Sequence, residues 1–331
     1  MCAKISKIDY TLPEKVLTNE ELSVLFPEWT AAAIEEKIGI IKRHIVCENE
    51  TAKDLALKAA QKVLIDEDKD SIDFLILCTQ SPDYYLPTTA CLLQHELGLR
   101  TDIGAFDFNL GCSGYVYGLG ICKGLIKAGI AKKILFITSE TYSKHINSLD
   151  KSNLTIFGDA AAATIIEHSE TDQIMDFVFG TDGKGAPNLI IPNGGLRNKY
   201  DPNAEIIEDS GNIRTNNNLY MNGPEIFNFT IQRIPALVKD VLNKHSLTME
   251  DIDFCILHQA NKYMLEYLKK KLKVPSEKFC INMKDVGNTV SSTIPIALKD
   301  CINNKTIKQG SLVLLIGFGV GYSWGGTVIK I

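Results

Sequence analysis

No C-x-x-C pair occurs among the nine cysteines, which fall at positions 2, 47, 78, 91, 112, 122, 255, 280 and 301. The odd count and scattered spacing exclude a disulfide framework. Most sit in apolar strings such as Phe74-Leu75-Ile76-Leu77-Cys78, where a free thiol behaves as a small hydrophobe. Histidine is scarce too, with six residues and no Cys/His cluster at zinc spacing, so no metal is expected. The longest run of apolar residues and glycine, Leu312 to Tyr322, falls well short of the ~20 residues a membrane-spanning helix needs. There is no excess of positive charge: 35 Lys and Arg face 40 Asp and Glu, a net −5 that offers a nucleic-acid polyanion little to bind. Neither membrane nor nucleic acid is therefore expected as a partner. Met1 to Lys7 lacks the apolar stretch of a signal peptide, and a cytoplasmic location is expected. What is present, 331 residues at 45% hydrophobic and 23% charged, suits a globular protein with a large core.

The chain also repeats itself weakly. Ser71-Ile72-Asp73-Phe74-Leu75-Ile76-Leu77 is matched 180 residues on, position 72 against 252, by Asp251-Ile252-Asp253-Phe254-Cys255-Ile256-Leu257. Ile134-Leu135-Phe136-Ile137 is matched by Val313-Leu314-Leu315-Ile316, 134 against 313, at nearly the same spacing. Such continuous apolar runs read as strands covered on both faces, in a parallel or mixed sheet with helices outside. Helical spacing precedes each first strand, over Thr51–Asp66 and over Glu225–Lys244, where Pro235 is expected to kink or interrupt the helix. In the first half a helix near Thr88–Leu97, a strand Gly104–Leu110 and a helix Cys112–Ala128 follow. In the second come a helix Lys262–Leu272, a strand Phe279–Met283 and a helix Ser291–Asn303. The architecture expected is α/β, two βαβα halves packed together and divided at 1–175 and 176–331. Thr181–Asn222, rich in Gly, Pro and Asn, shows no sustained period and reads either as a functional loop or as a plain surface excursion.

Three strand-to-helix junctions carry residues able to do chemistry. An apolar strand runs into Gly111-Cys112-Ser113-Gly114 and emerges as a helix, so Cys112 sits at the positive end of a helix dipole, which favours thiolate. A buried structural cysteine is the alternative. His258, in Leu257-His258-Gln259-Ala260-Asn261, lies at the carboxyl end of a repeated strand, where open α/β sheets place their sites; a helix cap is the alternative. Asn288, in Gly287-Asn288-Thr289, holds in the second half the place of Cys112 in the first, and simple turn chemistry would also explain it. Taken together, a pseudo-twofold brings a nucleophile and two N–H donors to one place. The glycine-rich Gly317–Gly326 precedes another strand rather than a helix, which disfavours a dinucleotide site.

On these residues the chain resembles β-ketoacyl-[acyl-carrier-protein] synthase III of the thiolase superfamily, essentially end to end. The resemblance rests on Lys37-Ile38-Gly39-Ile40 with Arg43-His44, Gly111-Cys112-Ser113-Gly114, Phe157-Gly158-Asp159-Ala160-Ala161-Ala162, His258-Gln259-Ala260-Asn261, Gly287-Asn288-Thr289 and Gly317-Phe318-Gly319. It implies a thiolase-like fold of two duplicated five-stranded halves in a five-layer α-β-α-β-α sandwich. It implies that Cys112 takes an acyl group from an acyl-CoA, and that a malonyl thioester on acyl carrier protein then loses CO₂ and attacks the acyl-Cys112. His258 and Asn288 would bond the thioester oxygen as the enolate forms, the N–H groups of Cys112 and Val320 would form the oxyanion hole, and Asn261 would brace the site. Substrate contacts are implied for Lys37, Lys151, Met221, Phe227, Tyr263 and, across a homodimer interface, Leu86. No cofactor is implied beyond the CoA thioester as substrate.

The departures fall at the entrance. Val320 stands for the usual Gly, Lys37 and Tyr263 for arginines, and the tryptophan that stacks on CoA adenine has no clear match, Trp29 falling a few residues too early. The basic run Lys262, Lys269, Lys270, Lys271 and Lys273 suits either an acidic carrier protein or plain solvation. Two other readings stay open: acyl transfer from Cys112 to an oxygen or nitrogen nucleophile without decarboxylation, and a catalytically silent binding partner, which the presence of Cys112, His258 and Asn288 disfavours.

Overall fold

The computed structural model describes residues 2–331. Five strands form the first sheet: β1 (Cys2–Thr11), β2 (Phe74–Cys78), β3 (Gly104–Phe108), β4 (Lys133–Glu140) and β5 (Ala160–Ser169), in the order β1-β5-β4-β2-β3. Four form the second: β6 (Val178–Thr181), β7 (Phe254–Leu257), β8 (Leu312–Gly319) and β9 (Ser323–Lys330), in the order β7-β8-β9-β6. Helices α1 (Ala31–Ile38), α2 (Ala52–Val63), α3 (Thr89–Glu96), α4 (Gly114–Lys127), α5 (Gly223–Lys244), α6 (Lys262–Leu272) and α7 (Thr293–Asn303) complete the frame. The sequence repeat is a repeat of register. Phe74 pairs with Ile134 in parallel strands of the first sheet, and Phe254 with Val313 in parallel strands of the second.

Alternation along the strands sorts side chains into layers. Leu75, Leu77, Leu135 and Ile137 face α2 and α3, whereas Ile76, Ile134 and Phe136 face a cluster made by Tyr115, Val116, Leu119 and Cys122 of α4 and Ile294, Ala297 and Leu298 of α7. Phe254, Ile256, Val313 and Leu315 of the second sheet meet that same cluster from the other side. Cys255, Leu257, Leu314 and Ile316 turn instead to Leu237, Val238 and Val241 of α5 and Leu265 and Leu268 of α6. The result is a five-layer sandwich with α4 and α7 in the middle.

Two expectations change. Phe279–Met283 is not a strand: only a single parallel bridge, Cys255 to Phe279, stands in that place, with the Cys280 N–H on the Cys255 carbonyl at 2.9 Å. A 3-10 turn at Ser276–Lys278 after Pro275 shortens the approach, so the second sheet has four strands where the first has five. Pro235 does not interrupt α5, which runs on through it. The helix buries Phe229, Ile234, Leu237, Val238 and Val241, and this packing outweighs the ~3 kcal/mol intrinsic cost of an internal proline. The chain leaves the first sheet at Ser169 and enters the second at Val178. Thr181–Asn222 is not a plain surface excursion: it folds into the short hairpin Ile207–Asp209/Asn212–Arg214 and the pair Leu189–Ile190/Tyr220–Met221. No helix of the described residues is long and apolar enough to cross a membrane.

Candidate active site

Cys112 sits two residues ahead of α4, between the end of β3 and the first helical turn, and is 5% exposed. The end of β8 lies directly against it. A Cβ added at Gly319 would come within 2.8 Å of Cys112 Cβ and 2.9 Å of its Sγ, and one at Gly317 within 2.9 Å of Ser113 Cα. The Gly317-Phe318-Gly319 motif is thus a close-approach surface, on which the second half of the molecule touches the nucleophile turn of the first. Ser113 Oγ and Ser323 Oγ, 2.6 Å apart, tie the halves at the same point, and Ser323 donates onward to the Val320 carbonyl at 2.8 Å. Val320 follows Gly319 at this contact, and the backbones of Val320 and of Cys112 itself both act to lower the pKa of the Cys112 thiol. Val320 Cγ1 meanwhile occupies the space a side chain at Gly111 would need.

His258 follows β7 and is buried, its ring edge-on to Phe318 at 5.5 Å. Its Nδ1 lies 2.8 Å from Thr293 Oγ1, on the first residue of α7. The rest of its motif is used one residue at a time. Gln259 accepts from the Asn282 N–H at 2.7 Å and donates to the Leu257 carbonyl at 2.6 Å. The Ala260 carbonyl accepts from Asn288 Nδ2 at 3.4 Å. Asn261 Oδ1 caps α6 through the Met264 N–H at 2.8 Å, so its side chain fixes the helix that follows rather than reaching the imidazole.

Asn288 is held by both halves: its N–H donates to the Ile156 carbonyl at 2.9 Å, and its own carbonyl accepts from Gly158 at 3.0 Å. Its Oδ1 takes the Val290 N–H at 3.0 Å, which settles the amide's orientation and leaves Nδ2 as the donor end. Val290 adopts φ +55, a costly conformation for a β-branched residue, and its side chain lies by Gly111. Strain of this kind collects where a site must be held in one geometry.

Electrostatics correct one expectation. Burial, reinforced by the charge of Glu140, pushes the Cys112 thiol up to about 12, against the pull of those two backbones. The resting group is therefore a thiol and not the thiolate expected from the helix terminus; the Gly114 N–H is already spent on the Gly111 carbonyl at 2.8 Å. Burial lowers His258 to about 3, so the ring is neutral at ordinary pH. Glu140, fully buried without a cation, is raised to about 8 by burial and accepts from the Gln80 N–H, Ser81 and Ser291.

A cleft of about 610 Å³ opens beside this centre, walled by Trp29, Lys37, Asp150, Arg214, Tyr220 and Met221 among others. Met221 and Ile156 belong both to the cleft wall and to the apolar cluster around Cys112, and so join the two. Trp29 lies in the cleft wall: Lys37 Nζ lies 5.3 Å and Lys151 Nζ 5.4 Å from its ring, and Lys151 also pairs with Glu28 at 2.8 Å. The hairpin Ile207–Arg214 supplies the opposite wall, which local composition did not reveal. Phe227 of α5 packs at a tilt against Tyr263 of α6 at 5.5 Å and edge-on against Tyr267 at 5.4 Å. Leu86 stands apart, 83% exposed next to the exposed Tyr84 and Tyr85. Glu140, Thr293 and Arg214 were missed from sequence, because nothing in their neighbours marks them.

Known proteins bear on this geometry. The family profile described as 3-Oxoacyl-[acyl-carrier-protein (ACP)] synthase III matches residues 106–183, and that of its C-terminal part matches residues 242–331. A Clostridium perfringens protein named beta-ketoacyl-[acyl-carrier-protein] synthase III is 36% identical over 332 residues, covering 99% of both chains. A crystal structure of a 3-oxoacyl-(acyl-carrier-protein) synthase III superposes with a TM-score of 0.98 at 48% identity over 100% of both chains. A 3-oxoacyl-(acyl-carrier protein) synthase from Burkholderia xenovorans LB400 superposes at 0.91, with 35% identity over 100% of this chain and 94% of its own. Matched end to end at this level of identity, the chain belongs to the 3-oxoacyl-[acyl-carrier-protein] synthase III family.

Proposed function

We propose that this chain is a decarboxylating condensing enzyme that takes an acyl group from a CoA thioester onto Cys112 and joins it to malonyl-acyl carrier protein. One observation carries the reading: the end of β8 packs against Cys112 at Gly319, and the Phe318 next to it meets the ring of His258 edge-on at 5.5 Å, so one strand of the second half borders both residues. In the first step a bond forms between Cys112 Sγ and the acyl carbon, the bond to the CoA sulfur breaks, and the thiol proton ends on that sulfur. The malonyl thioester then loses CO₂, and the released electron pair becomes an enolate whose oxygen is stabilised by N–H donors on His258 and Asn288. Its carbon attacks the acyl group, and the Cys112 sulfur departs as a thiolate and takes up one proton from water. Nothing in this sequence requires a cofactor.

Lys37, Lys151 and Arg214 around the cleft suit the phosphates of a CoA donor, and Trp29 an aromatic base. Lys270 and Lys271 on α6 suit an acidic carrier protein, while Lys269 is partly neutralised by Glu266 at 2.7 Å. The exposed Tyr84-Tyr85-Leu86 run suits burial in a homodimer, and a cytoplasmic setting follows from such soluble partners. The test is incubation with labelled acetyl-CoA and malonyl-carrier. A 3-oxoacyl product two carbons longer with release of CO₂ supports the reading; acyl transfer to an oxygen or nitrogen acceptor without CO₂ replaces it.

A further inference from the structure

Beside Cys112 a pair of buried hydroxyls joins the two halves of the molecule. Ser113, the residue after the nucleophile, puts its Oγ 2.6 Å from Ser323 Oγ, and Ser323 Oγ lies 2.8 Å from the Val320 carbonyl. A carbonyl only accepts, so the single hydroxyl proton of Ser323 is committed to Val320, and Ser113 must be the donor to Ser323. The bonds therefore run in one sense, from Ser113 through Ser323 to Val320. Both serines are buried, so water does not compete for either hydroxyl.

What these bonds hold is the turn between β8 and β9. Gly319 pairs with Ser323 as the last rung of that ladder, and Val320, Gly321 and Tyr322 close the turn. The Tyr322 backbone is fixed separately, by bonds in both directions with Asp182 at 2.8 and 2.9 Å. The Val320 carbonyl is fixed by Ser323. The same turn leans on the nucleophile: a Cβ at Gly319 would come within 2.9 Å of Cys112 Sγ, one at Gly317 within 2.9 Å of Ser113 Cα, and Val320 Cγ1 crowds Gly111. The backbone leaving Gly319, beginning with the Val320 N–H, is thus set beside an acyl group carried on that sulfur. Acylation and carbon–carbon bond formation both put a negative oxygen on the carbon bonded to Sγ, where a fixed backbone donor stabilises the transition state most.

We propose that Ser113 and Ser323 are positioning residues, whose linked hydroxyls hold the Val320 backbone where it stabilises the negative oxygen on the acyl carbon at Cys112. The assignment rests on the condensing reaction proposed above. Two steps are then separated that a packing role would not separate. Loss of CO₂ from the malonyl thioester places its negative charge on the enolate, away from that oxygen, whereas attack of the enolate carbon on acyl-Cys112 creates it. With the turn loosened, CO₂ still leaves. The enolate carbon then takes a proton from water, giving an acetyl-carrier, and the acyl group stays on Cys112.

The experiment supplies the full chain with acetyl-CoA and malonyl-carrier. It follows acylation by intact mass over time, and CO₂ and 3-oxoacyl product from the same reaction. Wild type should yield CO₂ and product in equal amounts. In Ser323→Ala the acylation rate at saturating acetyl-CoA should fall roughly tenfold or more with KM within about twofold, and CO₂ should exceed product. Ser113→Ala, which leaves the bond to Val320 in place, should show both effects to a smaller degree, and it decides the matter alone if Ser323→Ala does not fold. Because Ser113 acts through Ser323, the double variant should be no slower than Ser323→Ala. An unchanged acylation rate in Ser323→Ala, CO₂ and product that fall together, or a double variant as slow as the two single losses multiplied overturns the assignment. A wild-type chain that is never acylated, or that is acylated and releases no CO₂, overturns instead the condensing function on which the assignment stands.

Discussion

Glu140 is the least comfortable residue in the molecule: fully buried, bonded only to Gln80, Ser81 and Ser291, and near no cation that would favour its charge. Its carboxyl titrates near 8 in the folded chain, against about 4.3 when unfolded. Below about pH 4 both states hold the proton and nothing is lost. Between those values the folded chain keeps a proton that the unfolded chain has released, so the stabilisation present at acid pH is lost as pH rises toward 8. Glu140→Gln should therefore gain on the wild type as pH rises from 5 to 8.5, by a few kcal/mol at most, in guanidinium unfolding. A pH-independent difference between the two would mean that the carboxyl is not buried in neutral form. At this scale, Cys112, His258 and Asn288 stood out in the sequence because each falls where the apolar pattern reads as a strand running into a helix, although the segment before Asn288 forms only a single bridge. Thr293 and Glu140 did not, since their neighbourhoods are made by residues more than 30 positions away in the chain.

Among the elements, β8 places the site most directly. Its Gly319 leaves no room for a side chain against Cys112, so Gly319→Ala must push the nucleophile or the strand aside. Overpacking of this kind costs about 1–3 kcal/mol, and the displacement should lower the acylation rate at least tenfold while the chain still folds; unchanged acylation kinetics would show that the contact is soft. The hairpin Ile207–Arg214 and the helix α1 with Trp29 before it form the two sides of the cleft. Trp29→Ala should raise KM for the CoA donor several-fold and leave kcat of the half-reaction with a short N-acetylcysteamine thioester unchanged; equal effects on both donors would take Trp29 out of nucleotide binding. The paired strands were legible because burial on both faces leaves uninterrupted apolar runs. The hairpin was not, because its three-residue strands are too short to show a period and take their place from the cleft they enclose. Pro235 misled for the converse reason: its local cost is real, and the packing of α5 against the second sheet exceeds it.

For the molecule as a whole, α4 and α7 form a core shared by both sheets, so neither half keeps its inner face covered alone. Leu119, fully buried in that layer, tests this. Leu119→Ala should destabilise by about 2–5 kcal/mol and shift a single unfolding transition, seen together by tryptophan fluorescence and far-ultraviolet circular dichroism. Two separated transitions would show halves that fold independently. The duplication was readable from sequence because the repeated strands keep one register at one spacing. The thinner second sheet was not, since a single bridge at Phe279 has the composition of a strand. Every part of this arrangement converges on Cys112, and the most direct test is the intact mass of the protein after exposure to a panel of acyl-CoA thioesters. The wild type should gain the mass of one acyl group per chain, and Cys112→Ala none; an unchanged wild-type mass, or an acyl adduct that persists in Cys112→Ala, would contradict the account.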